Sequence, residues 1–276
     1  MTRAVAIGTF DGVHRGHRAV VDAAVATGLP TTVMTFDPHP RTVLGNRVEL
    51  LTTIERRVEL LRDAGADEVV VVQFTPELAA LEPGEFVAEH LEPLGCEVVV
   101  AGAGFRFGHG RSGDLELIRA LGYEVREVPL VEGVSSSQIR SLVRSAELAA
   151  AAEELGRPYE LDGIVVSGDQ RGGTLGFPTA NLRVDPDLIV PEFGIYAGAV
   201  GDRRAAISIG VNPHYGGTER RIEAFLLDWE GDLYGKRLIL ELWRRLREER
   251  SFESEAALIA QIAEDVEQTR AAARPV

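Results

Sequence analysis

Apolar residues fall in short unbroken runs through the first half of the chain. Ala4–Ile7, Thr31–Thr35, Glu68–Val72, Glu97–Ala101 and Glu124–Pro129 read as buried strands. Between them the apolar spacing changes to a helical period over His17–Thr27, Thr53–Ala64, Pro83–Leu94 and Gly113–Leu121. Gly28, Gly65 and Gly122 follow three of these segments, where helices commonly end in a left-handed residue. Strand and helix alternating at this spacing predict a parallel sheet covered on both faces. An Ala-rich helix is expected from Ser137 to Leu155, closed by Gly156 and Pro158. The pattern then shifts to glycine-broken β-like runs at Tyr159–Gly168, Ile195–Val200, Ala205–Ile209, Arg221–Asp228 and Arg237–Trp243. With no long helix between them, these predict a small antiparallel barrel or sandwich. A final helix is expected behind Ser254 as N-cap, with Leu258, Ile262 and Val266 on one face. The expected division is therefore a domain over 1–156 and a second over 157–276.

Totals narrow the class. At 276 residues, 45% of them hydrophobic, the chain is long enough for two packed cores. No apolar run reaches the roughly 20 residues of a membrane helix, and a strand begins within a few residues of Met1, so neither a membrane segment nor a signal peptide is expected and a cytoplasmic location is. Cys96 is the single cysteine, which excludes an internal disulfide and a multi-cysteine zinc site. The net charge of −14 argues against nucleic-acid partners and leaves small molecules as the expected ones, with self-association open. Lys236 is the only lysine and Arg237 follows it, so no Gly-Lys-Ser/Thr phosphate loop is present.

The chemistry concentrates at strand ends. "GTFDGVHRGH" (8–17) follows the first strand and opens a helix. Free N–H groups and the positive dipole end attract an anion there, Gly12 and Gly16 permit close approach, and His14 and His17 add donors. A metal site using Asp11 or Asp37, or a purely structural turn, are the alternatives. "TFDPHP" (35–40) follows the second strand, and "VSSSQIR" (134–140) follows the fifth. There Ser136 and Ser137 can cap a helix and donate to an anion, and Arg140 lies one turn on. In the second half, "GDQRGGTLGFPTANL" (168–182) joins a glycine-rich loop to Thr179 and Asn181, hard oxygen donors suited to Mg²⁺ beside phosphates. Glu223 is an acid inside an otherwise apolar strand, which is costly unless it faces water or has a task.

"GTFDGVHRGH", "TFDPHP", "GFRFG" (104–108) and "VSSSQIR", in that order, resemble the adenylyltransferase module of the bacterial bifunctional riboflavin kinase/FMN adenylyltransferase, or FAD synthetase, family. "GFPTAN", "PEFGIYAG", "SIGVNP", "IEAFLLD", "DLYG" and "LREERSFES" resemble its riboflavin kinase module. The resemblance covers nearly the whole chain. It implies a Rossmann-like nucleotidyltransferase domain followed by a six-stranded flavokinase β-barrel with a terminal helix. It also implies two reactions: ATP phosphorylates riboflavin to FMN, then adenylylates FMN to FAD with release of pyrophosphate. Gly8, Phe10, Asp11, His14, Gly16, His17, Ser136, Ser137 and Arg140 would then hold ATP phosphates. Gly172, Gly176, Pro178, Thr179, Asn181 and Arg247 would bind ATP or flavin in the kinase, with Mg²⁺ or Mn²⁺ on Thr179 and Asn181 and Glu223 as the base. The chain departs from the family pattern at Gly104, where Asp or Asn is usual, at Gly173, where arginine is common, and at His214 within "NPHY".

Overall fold

The computed structural model describes residues 2–168, 177–211 and 220–276. They divide into two compact units, 1–136 and 137–276.

The first unit is built on strands β1 (Arg3–Ile7), β2 (Thr31–Asp37), β3 (Glu68–Gln73), β4 (Cys96–Gly102) and β5 (Glu124–Val128), all parallel, in the order β3-β2-β1-β4-β5. Helix α1 (Arg15–Val25) follows β1, and α2 (Pro40–Val43) and α3 (Ile54–Asp63) lie between β2 and β3. Next come α4 (Pro76–Ala80), α5 (Pro83–Phe86) and α6 (Leu115–Ala120). Alternation along β1 explains the two-sided cover. Ala4 and Ala6 pack with Val21, Ala24 and Leu61, whereas Val5 and Ile7 pack with Phe86, Leu91 and Ile118. The strand order reverses between β1 and β4, and ligands of such sheets bind at the carboxyl ends beside that point. Gly28, Gly65 and Gly122 have φ of +76°, +107° and +96°, the left-handed stops that the sequence signalled. The segment expected as one helix over 83–94 is instead α5 followed by a π-helical turn at Val87–Leu91 and a 3₁₀ turn at Glu92–Leu94.

The Ala-rich helix is two helices, α7 (Ser136–Arg144) and α8 (Leu148–Leu155). Ala146 at φ +57° breaks it, and the Ser145 hydroxyl donates back to the Ser141 carbonyl at 3.0 Å. Alanine content concealed that break. The second unit then closes a barrel of β6 (Tyr159–Val166), β7 (Ala180–Val184), β8 (Gly194–Val200), β9 (Arg203–Val211), β10 (Arg220–Leu226) and β11 (Arg237–Arg247), in the order β10-β7-β6-β11-β8-β9. Every pairing is antiparallel. Leu161, Tyr196, Ile207, Ile222, Ala224 and Leu240 are buried in this unit. Helix α8 packs on β6 and β11, so the compact second unit starts before the expected division at 156.

The terminal helix α9 (Glu255–Ala271) begins at Ser254, whose hydroxyl accepts from the Ala257 amide at 3.2 Å. Its most buried positions are not the expected Leu258, Ile262 and Val266, which are half-buried, but Gln261, Asp265 and Thr269. The reason is a polar seam. Arg247 reaches Asp265 with two nitrogens at 2.9 and 2.7 Å, Arg250 donates to Gln261, and Arg204 donates to the Thr269 carbonyl at 3.0 Å. Removing one partner of a buried pair strands the other charge. Asp265→Ala is therefore expected to cost the barrel about 3 kcal/mol, read by urea unfolding followed through tryptophan fluorescence. A change below about 1 kcal/mol would instead match a solvent-screened pair.

Candidate functional site

In the first unit the loop between β1 and α1 is wound tightly. Phe10, Gly12 and Val13 all have positive φ, at 48°, 88° and 40°. For a β-branched residue such as Val13 this is a strained conformation that the surroundings must enforce. Asp11 does the enforcing. Its carboxylate is fully buried and accepts from the Leu51 amide at 3.0 Å, the Thr52 amide at 3.2 Å and the Thr52 hydroxyl at 3.3 Å. The Gly12 amide donates to the Thr52 hydroxyl at 3.2 Å. Asp11 was expected among the phosphate contacts, but its oxygens are committed beneath the loop, so it holds the loop instead.

His14 is the N-cap of α1, and its Nδ1 accepts from the His17 amide at 3.2 Å. That bond places the ring proton on Nε2, a donor. The two imidazoles stack with centroids 3.5 Å apart, and the Phe10 ring meets His17 edge-on at 5.3 Å. Gly16 makes room for this stack: a Cβ there would lie 3.2 Å from the His14 ring. At Gly8 a Cβ would lie 3.2 Å from the Phe10 ring. The first turn of α1 has no acidic residue, so nothing there repels an anion. Gly8, Phe10, His14, Gly16 and His17 thus form one constellation at the carboxyl end of β1. Ser136 joins it differently from the expectation, since its hydroxyl donates to the Asp11 carbonyl at 3.1 Å and ties down the loop. Ser137 follows it on α7, and Arg140, four residues after Ser136, shares its helix face. Gly104 has φ +76°, and a Cβ there would meet open space. The backbone thus keeps a conformation that Asn or Asp tolerates and lacks only the side chain.

In the second unit alternation along β10 sends Ile222, Ala224 and Leu226 inward and leaves Arg221, Glu223 and Phe225 half-buried on the outer wall. Glu223 lies directly across from Asn181 on β7 and from Ser208 on β9. One guanidinium joins the first two: Arg221 donates to the Asn181 side-chain oxygen Oδ1 at 2.8 Å and pairs with the Glu223 carboxylate at 2.8 Å. Phe177 packs edge-on against Phe225 at 5.4 Å. Pro178 is exposed and Thr179 half-buried, two residues before Asn181. Asn181 and Glu223 thus turn oxygens toward the same guanidinium, and the oxygens of the Asn181 amide and the Thr179 hydroxyl are of the hard type that Mg²⁺ takes. Among the described residues no three His, Cys, Asp or Glu side chains converge as a metal cluster. Gly172 and Gly176, and the departures at Gly173 and His214, lie outside the described residues. Arg247 was expected at the ligand, but its guanidinium is held by Asp265 and secures α9. Sequence reasoning missed Arg221, although its position two residues before Glu223 on a strand puts both on one face. It also missed Thr52 and Arg57, whose roles depend on contacts distant in sequence.

Comparison with known proteins agrees with both units. A family model described as FAD synthetase matches residues 1–142, and one described as riboflavin kinase matches 155–273. A bifunctional riboflavin kinase/FMN adenylyltransferase of Listeria monocytogenes is 37% identical, over 98% of this chain and 92% of that protein.

The chain belongs to the bifunctional riboflavin kinase/FMN adenylyltransferase family.

Another relative of that description, from Escherichia coli K12, is 36% identical over 94% of this chain and 89% of its own. A solved Streptococcus pneumoniae structure described as a macrolide-efflux protein superposes with a TM-score of 0.88 at 30% identity, covering 99% of this chain and 95% of that one. Among the described residues no helix is long and apolar enough to cross a membrane. Within this family member the β1–α1 loop makes a sharp demand on Gly12, where a Cβ would sit 2.7 Å from Leu51 at φ +88°. Gly12→Ala is expected to lose at least about 1–2 kcal/mol from the backbone conformation alone, measured as a lowered thermal midpoint. An unchanged midpoint would contradict this loop geometry.

Proposed function

We propose that the two sites divide the chemistry of FAD synthesis between a base-assisted kinase and a base-free adenylyl transfer. The enzyme converts riboflavin to FMN and FMN to FAD, using ATP in each step. In the kinase, Glu223 takes the proton of the riboflavin 5′-hydroxyl as that oxygen bonds to the γ-phosphorus of ATP and ADP leaves. Arg221 holds Glu223 and Asn181 in register across the strands. Thr179 and Asn181 would hold Mg²⁺, which when bound neutralises phosphate charge. Gly172, Gly176 and Pro178 belong to the same ATP and flavin site in this reading.

In the adenylyltransferase the FMN phosphate is already an anion. Its oxygen attacks the α-phosphorus of ATP and pyrophosphate leaves, so the site needs in-line positioning and donors, not a base. His14, His17, Ser137, Arg140 and the first turn of α1 supply them. The observation that carries this division is the direction of Asp11: the one carboxylate of the β1–α1 loop is turned under the loop, away from a triphosphate it would repel. Cytoplasmic ATP and free flavins are the partners this reading requires. The adenylyltransferase is assigned to 1–156 and the kinase to 157–276.

Glu223→Gln keeps the shape and removes the base, so FMN formation should fall about 10²–10⁴-fold while FAD formation from supplied FMN barely changes. Combined His17→Ala and Arg140→Ala should do the converse, letting FMN accumulate. Loss of adenylyl transfer in Glu223→Gln would overturn the assignment. A fragment starting at Arg157 is expected to make FMN and no FAD. One starting at Ser137, which keeps the buried face of α8, should do the same with a higher thermal midpoint. An inactive Ser137 fragment would show that the kinase needs the first 136 residues.

A further inference from the structure

Arg57 is the fourth residue of α3 and only 1% exposed, yet phosphate binding as described above makes no use of it. Its Nη1 donates to the carbonyl of Phe36 at 3.1 Å, and its Nη2 lies 3.6 Å from Asp11 Oδ1. Phe36 ends the apolar part of β2, just before the loop that carries His39. His39 is buried and caps α2 through Nδ1, which accepts from the Arg41 amide at 3.2 Å; His14 likewise caps α1 through Nδ1, though from the amide three residues on rather than two. The segment that supplies the Leu51 and Thr52 amides to Asp11 runs directly into α3 through the N-cap Thr53. One short element therefore grips the β1 loop at Asp11 and Gly12, and the end of β2 at Phe36.

We propose that Arg57, with Thr52, is a positioning residue for adenylyl transfer, fixing the spacing of the two histidine-capped loops at the carboxyl edge of the sheet. A core could be filled there by an apolar side chain at equal or better stability, since a buried ion pair is seldom worth its desolvation. What an apolar residue cannot do is bind a loop carboxylate and the carbonyl at the end of a neighbouring strand at once. A planar guanidinium with several donors can. The proposal rests on the reading of His14 and His17 as phosphate donors.

The test uses the full chain, which contains its own control. Adenylyl transfer from supplied FMN and phosphorylation of riboflavin are measured on one preparation of Arg57→Met, Arg57→Lys, Thr52→Val and His17→Ala. A displacement of about 1 Å at a reacting group can cost on the order of 10²-fold. Arg57→Met should therefore lower kcat of adenylyl transfer by about that factor, with a smaller change in KM for ATP and an unchanged kinase. Arg57→Lys should recover part of the loss, because it keeps a charge for Asp11 without the fork. Thr52→Val should lower kcat as well, since Gly12 loses its acceptor. Wild-type kcat in Arg57→Met with only a lower thermal midpoint would overturn the proposal and leave Arg57 structural. Should Arg57→Met fail to fold, wild-type kcat in both Arg57→Lys and Thr52→Val would overturn it equally. Full adenylyl transfer in His17→Ala would overturn the phosphate reading itself, a result separable from a failure of the clamp.

Discussion

A carboxylate buried without partners is among the most expensive things a fold can contain. In this protein Asp11 is fully buried under the loop after β1, and it is tolerated because amides and a hydroxyl from 51–52 donate to it and Arg57 stands nearby. Much follows from satisfying that group. The chain must bring the segment before α3 beneath the first strand end. Phe10, Gly12 and Val13 must accept left-handed backbone. His14 then arrives as N-cap of α1 with its ring stacked on His17. The loop that results keeps its carboxylate hidden and its two imidazoles stacked at the start of α1. The constraint thus runs from one residue's solvation to the conformation of the whole β1–α1 loop.

The barrel solves the opposite problem. There a carboxylate stays near the surface, half-buried on a strand. Strand alternation does this with little cost, because residues of β10 that point inward are Ile222, Ala224 and Leu226 while Glu223 stays half-exposed among polar neighbours. The terminal helix is bound to the barrel by arginines and not by an apolar stripe. Two units of one chain thereby hold acids in contrasting ways, one fully buried beneath a loop and one half-buried on a barrel strand.

Much of this was legible before any coordinates. The five apolar runs became five parallel strands, three glycines became left-handed helix ends, and Ser254 became an N-cap, because each rests on a local rule. The helix start at the histidine pair was legible for the same reason. What escaped was non-local. Nothing near Asp11 in sequence shows that its partners are 40 residues away, so it read as a ligand contact. Arg247 read as a ligand contact until Asp265 was placed beside it. The face of α9 was misjudged because a period of apolar residues outweighed polar ones that the barrel arginines recruit. The break at Ala146 was hidden by a residue type that favours helix everywhere.

The central claim is that one ATP gives its terminal phosphoryl to riboflavin at the barrel and a second gives its adenylyl group to the product at the sheet edge. Following phosphorus labels from ATP into the flavins tests it most directly. With riboflavin as the only flavin supplied, label from the γ position should appear in FMN, and FAD should carry one γ-derived and one α-derived phosphorus, with β and γ label also leaving together as pyrophosphate. Label from the α position in FMN, or FAD lacking the γ-derived phosphorus, would contradict the account.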